Sequence, residues 1–176
     1  VDETRVGRTL GKIREQAVLR RRRGDDLLRG LEHDEFTPWY QPQFDARTGD
    51  LAGVEAVARW RHPERGLLPP SEFLETAEEL GVLADLDRRI LARALADRAS
   101  DVMAGGTPPR ISINLSAQSL REARFADQIS AAGLPRGALA LEIVDAPDEA
   151  ARWSLDLLED LGVELEIDDF GAGPVS

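Results

Sequence analysis

Three short segments late in the chain, 110–115, 138–144 and 163–168, keep a strict two-residue period and are separated by two helix-length stretches. Successive strand side chains point to opposite faces, so this period sorts the residues into two sets. Ile111, Ile113 and Leu115 share one face, with Ser112 and Asn114 on the other. Leu139, Leu141 and Ile143 oppose Glu142, and Val163, Leu165 and Ile167 oppose Glu164, Glu166 and Asp168. The strand–helix–strand–helix–strand order calls for parallel strands wrapped by helices. An open parallel sheet is buried on both faces and reads as continuous apolar runs. Here one face is polar, and the carboxylates and the amide fall toward the strand ends. A closed barrel explains this pattern better: the apolar face packs under helices and the polar face lines a lumen with a chemically active mouth.

The region before these strands is organised differently. Phe36–Phe44 and Leu51–Trp60 read as strands joined by a turn containing Thr48, Gly49 and Asp50. So short a connection makes an antiparallel hairpin. Pro63, Gly66, Pro69 and Pro70 mark a loop. Ser71 is expected to N-cap a helix over 72–80 that Gly81 ends. A second helix is expected over 83–100, with Leu83, Leu86, Ile90, Leu91, Ala94 and Leu95 on one side. Later helices are expected over 116–132 and over 147–161, with Pro147 in the tolerant first turn. Residues 1–35 read as a helical lead-in or interdomain linker. Their apolar positions are too sparse for a core, and Arg20 to Arg23 form a basic run that reads as a solvated helix face.

Composition narrows the function classes. With 22 Lys and Arg against 33 Asp and Glu, the formal charge is −11, which argues against a general nucleic-acid binder. It leaves room for a small anionic ligand, because a cation or a few arginines reverse the field inside one pocket. The absence of cysteine removes disulfide frameworks and thiolate metal sites, and fits a cytoplasmic setting. No run approaches the roughly 18 apolar residues of a membrane span, although a longer parent could still be anchored.

The chemistry lies on separate strands. Glu55, Asn114, Glu142 and Asp168 each carry oxygen donors, and Asp169 follows at once. Carboxylates with an amide oxygen suit a hard cation such as Mg²⁺, Mn²⁺ or Ca²⁺. His33 and His62 are too few and too scattered for a histidine-rich zinc site. Two adjacent aspartates before Phe170-Gly171 could hold two ions, the arrangement that activates a water and stabilises the leaving oxygen of a phosphodiester. Taken singly, each residue is more often a satisfied structural group. Their joint placement, one per strand, favours a cation.

The same residues sit in recognisable motifs. Trp39-Tyr40-Gln41-Pro42 resembles the opening strand of the EAL domain family of cyclic di-GMP phosphodiesterases. Glu55-Ala56-Val57 stands where the Glu-Ala-Leu signature stands, followed by Arg59-Trp60-Arg61-His62-Pro63. Gly66, Pro69, Phe73, Ala77-Glu78 and Gly81 fall where the family's Pro-x-x-Phe and Ala-Glu-x-x-Gly pattern falls. Asn114-Leu115-Ser116, Leu141-Glu142-Ile143 and Asp168-Asp169-Phe170-Gly171-Ala172-Gly173 resemble its later strands and loop, so the resemblance covers residues 36–176. It implies a TIM-like (β/α) barrel with an antiparallel first strand, incomplete in this chain. It also implies that Glu55, Asn114, Glu142 and Asp168 ligate one Mg²⁺ or Mn²⁺ and Asp169 a second, with Ca²⁺ an inhibitory occupant. Glu55, Asp168 and Asp169 would be catalytic, and Gln41 and Arg59 would contact the nucleotide. The implied reaction opens cyclic di-GMP to linear pGpG. The resemblance leaves room for a homodimer and for an N-terminal sensory or GGDEF-type domain in a longer parent.

Several positions depart from the family pattern. The signature leucine is Val57, a Thr-Glu pair is replaced by Val144-Asp145, and Glu166 stands where a small residue is usual. Glu166 adds a carboxylate to an acidic lumen unless an arginine pairs with it. The family's later lysine, a further acidic ligand and a glutamine have no counterpart before Ser176, and a TIM-like barrel takes about 250 residues. Residues 1–176 alone are therefore expected not to hydrolyse cyclic di-GMP. The competing reading is an inactive EAL-type module that serves as a cyclic di-GMP receptor or protein-interaction domain.

Overall fold

A computed structural model describes residues 3–143 and 149–167. Strands β1 (Phe36–Phe44) and β2 (Leu51–His62) pair antiparallel, Phe36 opposite Trp60 and Gln41 opposite Glu55. Their turn is built by Asp45, whose Oδ1 accepts the backbone N–H groups of Arg47 and Thr48 at 2.8 and 3.0 Å. Those two donors hold the exposed Asp45 carboxyl below its ordinary range.

The region expected as a loop contains a further strand, β3 (Gly66–Leu68), which returns antiparallel onto β2 with Trp60 opposite Leu68. The helix expected over 72–80 begins later. Pro70–Glu72 forms a 3₁₀ turn, α2 spans Leu74–Glu79, and Ser71 caps nothing because it lies inside the 3₁₀ turn. Pro70, with φ fixed and no N–H, starts that turn and displaces the helix start to Phe73. Gly81 ends α2 at φ 70°, as its position in the sequence indicates.

The remainder is the expected parallel array. Helix α3 (Leu83–Met103) leads to β4 (Arg110–Leu115). The segment expected as one helix over 116–132 is two, α4 (Ala117–Leu120) and α5 (Ala123–Ala132). Leu120 and Phe125 are five residues apart and would sit about 140° apart on one continuous helix; the break at 121–122 lets both enter the core, at 1% and 3% exposure. Then come β5 (Leu139–Ile143), α6 (Glu149–Asp160) and β6 (Glu164–Ile167). The sheet runs β1-β2-β4-β5-β6, parallel from β2 to β6 apart from the β3 branch, and the barrel is not closed in this chain. Val144, Asp145, Pro147, Asp168, Asp169 and the following glycine loop lie outside the described residues.

The core lies between sheet and helices. Ile111, Ile113, Leu115, Leu139, Leu141 and Ile143 are buried against Leu86, Ile90 and Leu91 of α3, Phe125 and Ile129 of α5, and Leu158 of α6. An aromatic group anchors the hairpin end: Phe36 stacks on Trp60 at 5.1 Å between centroids and meets Phe73 edge-on at 5.3 Å. Helix α1 (Glu3–Glu32) adds its last turns to this group through buried Leu27 and Leu31, while residues 14–23 are exposed. Trp60 Nε1 donates to Glu35 just beyond α1 at 2.8 Å. His62 is structural here, its Nδ1 accepting the backbone N–H groups of Glu64 and Arg65.

Candidate functional site

The ladder registers place the candidate side chains on one face, opposite the helices. One row crosses the sheet through Gln41, Glu55, Ser112, Ala140 and Glu164. The next row toward the strand ends contains Asn114, Glu142 and Glu166. Small residues at Ser112 and Ala140, both fully buried, leave space between the acids. The Ser112 hydroxyl, beside Glu55 in register, has no hydrogen-bond partner among the described residues.

Glu55 and Asn114 meet directly: Asn114 Nδ2 donates to Glu55 Oε1 at 2.7 Å. The orientation is dictated by charge, because the amide oxygen against a carboxylate would set two acceptors face to face. Asn114 Oδ1 and the second oxygen of Glu55 are left over from this contact. Glu142 lies beside Asn114 in the β4–β5 ladder, and all three side chains are half-buried. Gln41 is exposed opposite Glu55. Arg59, on the same face of β2, turns Nη1 back to the Ala58 carbonyl at 2.9 Å. Among the described residues no three histidine or acidic side chains converge on one point as a cation cage. The donor set nevertheless has the right chemistry for a hard cation, two carboxylates with an amide oxygen already oriented by its own N–H.

Glu166 has the arginine partner that its position calls for, and it comes from this chain. Arg110, at the start of β4 on the same face, donates Nη2 to Glu166 Oε1. Its Nε stands 2.7 Å from Glu164 Oε2, close but off the N–H direction, so this contact is an ion pair without a hydrogen bond. Arg110 thus offsets the charge of Glu166, whose ladder neighbour is Glu142. The two glutamates are about half exposed, so solvent screens the pairs. Arg110→Ala is expected to lower stability by about 0.5 kcal/mol at low salt. The loss should shrink in 1 M salt, where the Debye length falls to about 3 Å. Thermal midpoints of both proteins at the two salt concentrations measure it, and a salt-independent difference would refute the electrostatic account.

The sequence model of the EAL domain matches residues 24–176. The chain belongs to the EAL domain family. An uncharacterized protein of Mycobacterium tuberculosis is 40% identical over 156 residues, 84% of this chain and 25% of that protein. The cyclic di-GMP phosphodiesterase NbdA of Pseudomonas aeruginosa is 36% identical over 160 residues, 85% of this chain and 20% of its own length. Among solved structures, the PaMucR phosphodiesterase in complex with c-di-GMP superposes with a TM-score of 0.72 at 34% identity, covering 86% of this chain and 65% of that one. This EAL chain therefore spans only a fifth to a quarter of those two relatives' lengths.

Two further polar residues of this EAL domain carry weaker sequence signals. Arg110 shares parity with Ser112 and Asn114, which sets it on the polar face of β4. Asp87 lies on the helix side of the sheet, at a helical position between Leu83 and Ile90, a carboxylate set in the apolar stripe of α3.

Proposed function

We propose that this chain forms the larger part of a cation-dependent site that hydrolyses cyclic di-GMP to linear pGpG. The observation that carries the proposal is the Glu55–Asn114 contact with Glu142 adjacent in the ladder, on the polar face of an EAL sheet. Glu55, Asn114 Oδ1, Glu142 and Asp168 would hold one Mg²⁺ or Mn²⁺, and Asp169 a second. A bound divalent ion would supply Lewis-acid polarisation of the phosphoryl oxygen and a water of lowered pKa. The chain's own contribution is placement. Asn114 and Glu55 orient each other, Arg110 offsets the charge of Glu166, and Gln41 and Arg59 would grip the nucleotide. Substrate class comes from kinship with NbdA and with the c-di-GMP complex. Residues 1–35 we assign as the lead-in from a sensory or GGDEF-type domain of a cytoplasmic or membrane-anchored parent that acts as a homodimer.

The test incubates the protein carrying the complete barrel with cyclic di-GMP and Mg²⁺, Mn²⁺ or Ca²⁺, and quantifies pGpG. Turnover is expected with Mg²⁺ or Mn²⁺, none with Ca²⁺, and loss on chelation. Binding of cyclic di-GMP without pGpG under every ion would overturn hydrolysis in favour of a receptor.

A further inference from the structure

Asp87 is a carboxylate on the helix side of the sheet, away from the row of candidate ligands. It lies on α3 beside buried Leu86 and Ile90. A single oxygen, Oδ2, accepts three hydrogen bonds: from the Ser116 backbone N–H at 3.1 Å, from Ser116 Oγ at 2.9 Å and from Ser119 Oγ at 2.7 Å. The two hydroxyls are themselves 2.9 Å apart, and Ser116 Oγ caps the Ser119 N–H at 3.3 Å. The carboxylate is enclosed deeply enough that burial raises its pKa against the pull of those three donors.

The clamp grips the chain where β4 becomes α4, two residues beyond Asn114. Helix α4 has four residues, too few to hold itself by its own hydrogen bonds. Its first turn is therefore set by what it is tied to. We propose that Asp87 is a positioning residue for the cation-binding face, fixing the β4–α4 turn and thereby the direction in which Asn114 presents its amide oxygen. Asn114 is then held from two sides, its Nδ2 by Glu55 and its following backbone by Asp87. Partners that orient a ligand without touching the ion usually change metal affinity by 10–100-fold when removed. The inference rests on the cation reading of this face, but not on hydrolysis.

The experiment measures Mn²⁺ affinity by calorimetry in the protein carrying the complete barrel, for wild type, Asp87→Ala, Asp87→Asn and Ser119→Ala. Far-ultraviolet circular dichroism checks that each variant is folded. Asp87→Ala is expected to weaken Mn²⁺ binding roughly tenfold or more. Asp87→Asn, which keeps one acceptor oxygen for the same three donors, is expected to restore affinity to about wild type. Ser119→Ala removes one donor far from the ligands and is expected to fall between them, which keeps the test alive if Asp87→Ala fails to fold. In turnover assays the loss should appear in kcat more than in KM. A merely structural Asp87 would lower the thermal midpoint and leave the affinity of the folded protein untouched. Equal Mn²⁺ affinity in wild type, Asp87→Ala and Ser119→Ala overturns this inference alone. A wild type that takes up no Mn²⁺ overturns the cation reading and this inference with it. Mn²⁺ uptake without pGpG overturns only hydrolysis, and the affinities still decide the role of Asp87.

Discussion

Glu55→Gln in the protein carrying the complete barrel is expected to fold normally and to lose turnover of cyclic di-GMP by on the order of a thousandfold. The substitution separates two roles. Glutamine retains a side-chain carbonyl that accepts from Asn114 Nδ2, so the contact seen at 2.7 Å survives as a hydrogen bond between two amides. What disappears is one negative charge from a half-buried face where Glu55 and Glu142 are the described carboxylates nearest Asn114. Cation chemistry at a phosphodiester is worth several kcal/mol, and each 1.36 kcal/mol is tenfold in rate, which sets the expected loss at about three decades. Chromatographic quantification of pGpG and calorimetric titration with Mn²⁺ give the two readouts. Stability should stay within about 1 kcal/mol of wild type, since packing is kept and the hydrogen bond loses only its charge. Turnover within about tenfold of wild type would show that Glu55 is a structural partner of Asn114 and no ligand.

The largest stability effect is expected at Phe36, far from the acidic face. Phe36 is fully buried, stacked on Trp60 at 5.1 Å and edge-on to Phe73 at 5.3 Å. It joins three pieces: the start of β1, the end of β2 and the 3₁₀ turn leading to α2. Phe36→Ala is expected to cost about 3–5 kcal/mol, the lost transfer energy plus the cavity left among rigid rings. Against a total stability of about 5–15 kcal/mol this is a large share. Urea denaturation followed by circular dichroism measures it. A loss below about 1 kcal/mol would mean that the pocket collapses around the deletion and that the aromatic group is not the anchor described. The same variant should loosen the register that sets Gln41 opposite Glu55, because Phe36 opposite Trp60 is the first pair of that ladder.

Periodic features were legible in the sequence. The hairpin, α3 and the three later parallel strands follow from alternation and punctuation, and the polar parity of Glu55, Asn114 and Glu142 is the parity that the registers show. Features that depend on competition between neighbours were not. β3 is a three-residue strand whose pairing energy comes from β2, so nothing in Gly66–Leu68 alone distinguishes it from a loop. Ser71 has the chemistry of an N-cap, yet the prolines before it decide the local backbone. The break between α4 and α5 reflects which side chains the core demands, not any helix breaker, since neither glycine nor proline occurs between Ser116 and Ala132.

The sequence by itself determined the strand faces, the family and the oxygen-rich character of the polar face, because these depend on short-range period and on residue chemistry. Tertiary structure decided who meets whom. Glu55 and Asn114 are 59 positions apart and come into hydrogen-bond contact because β2 and β4 are neighbours in the sheet. Arg110 reaches Glu166 across 56 positions, and Asp87 reaches Ser116 and Ser119 across 29 and 32. No local pattern carries such pairings. They arise when burial of the apolar faces fixes strand order and register, and the polar side chains are then brought to the partners that this packing leaves within reach.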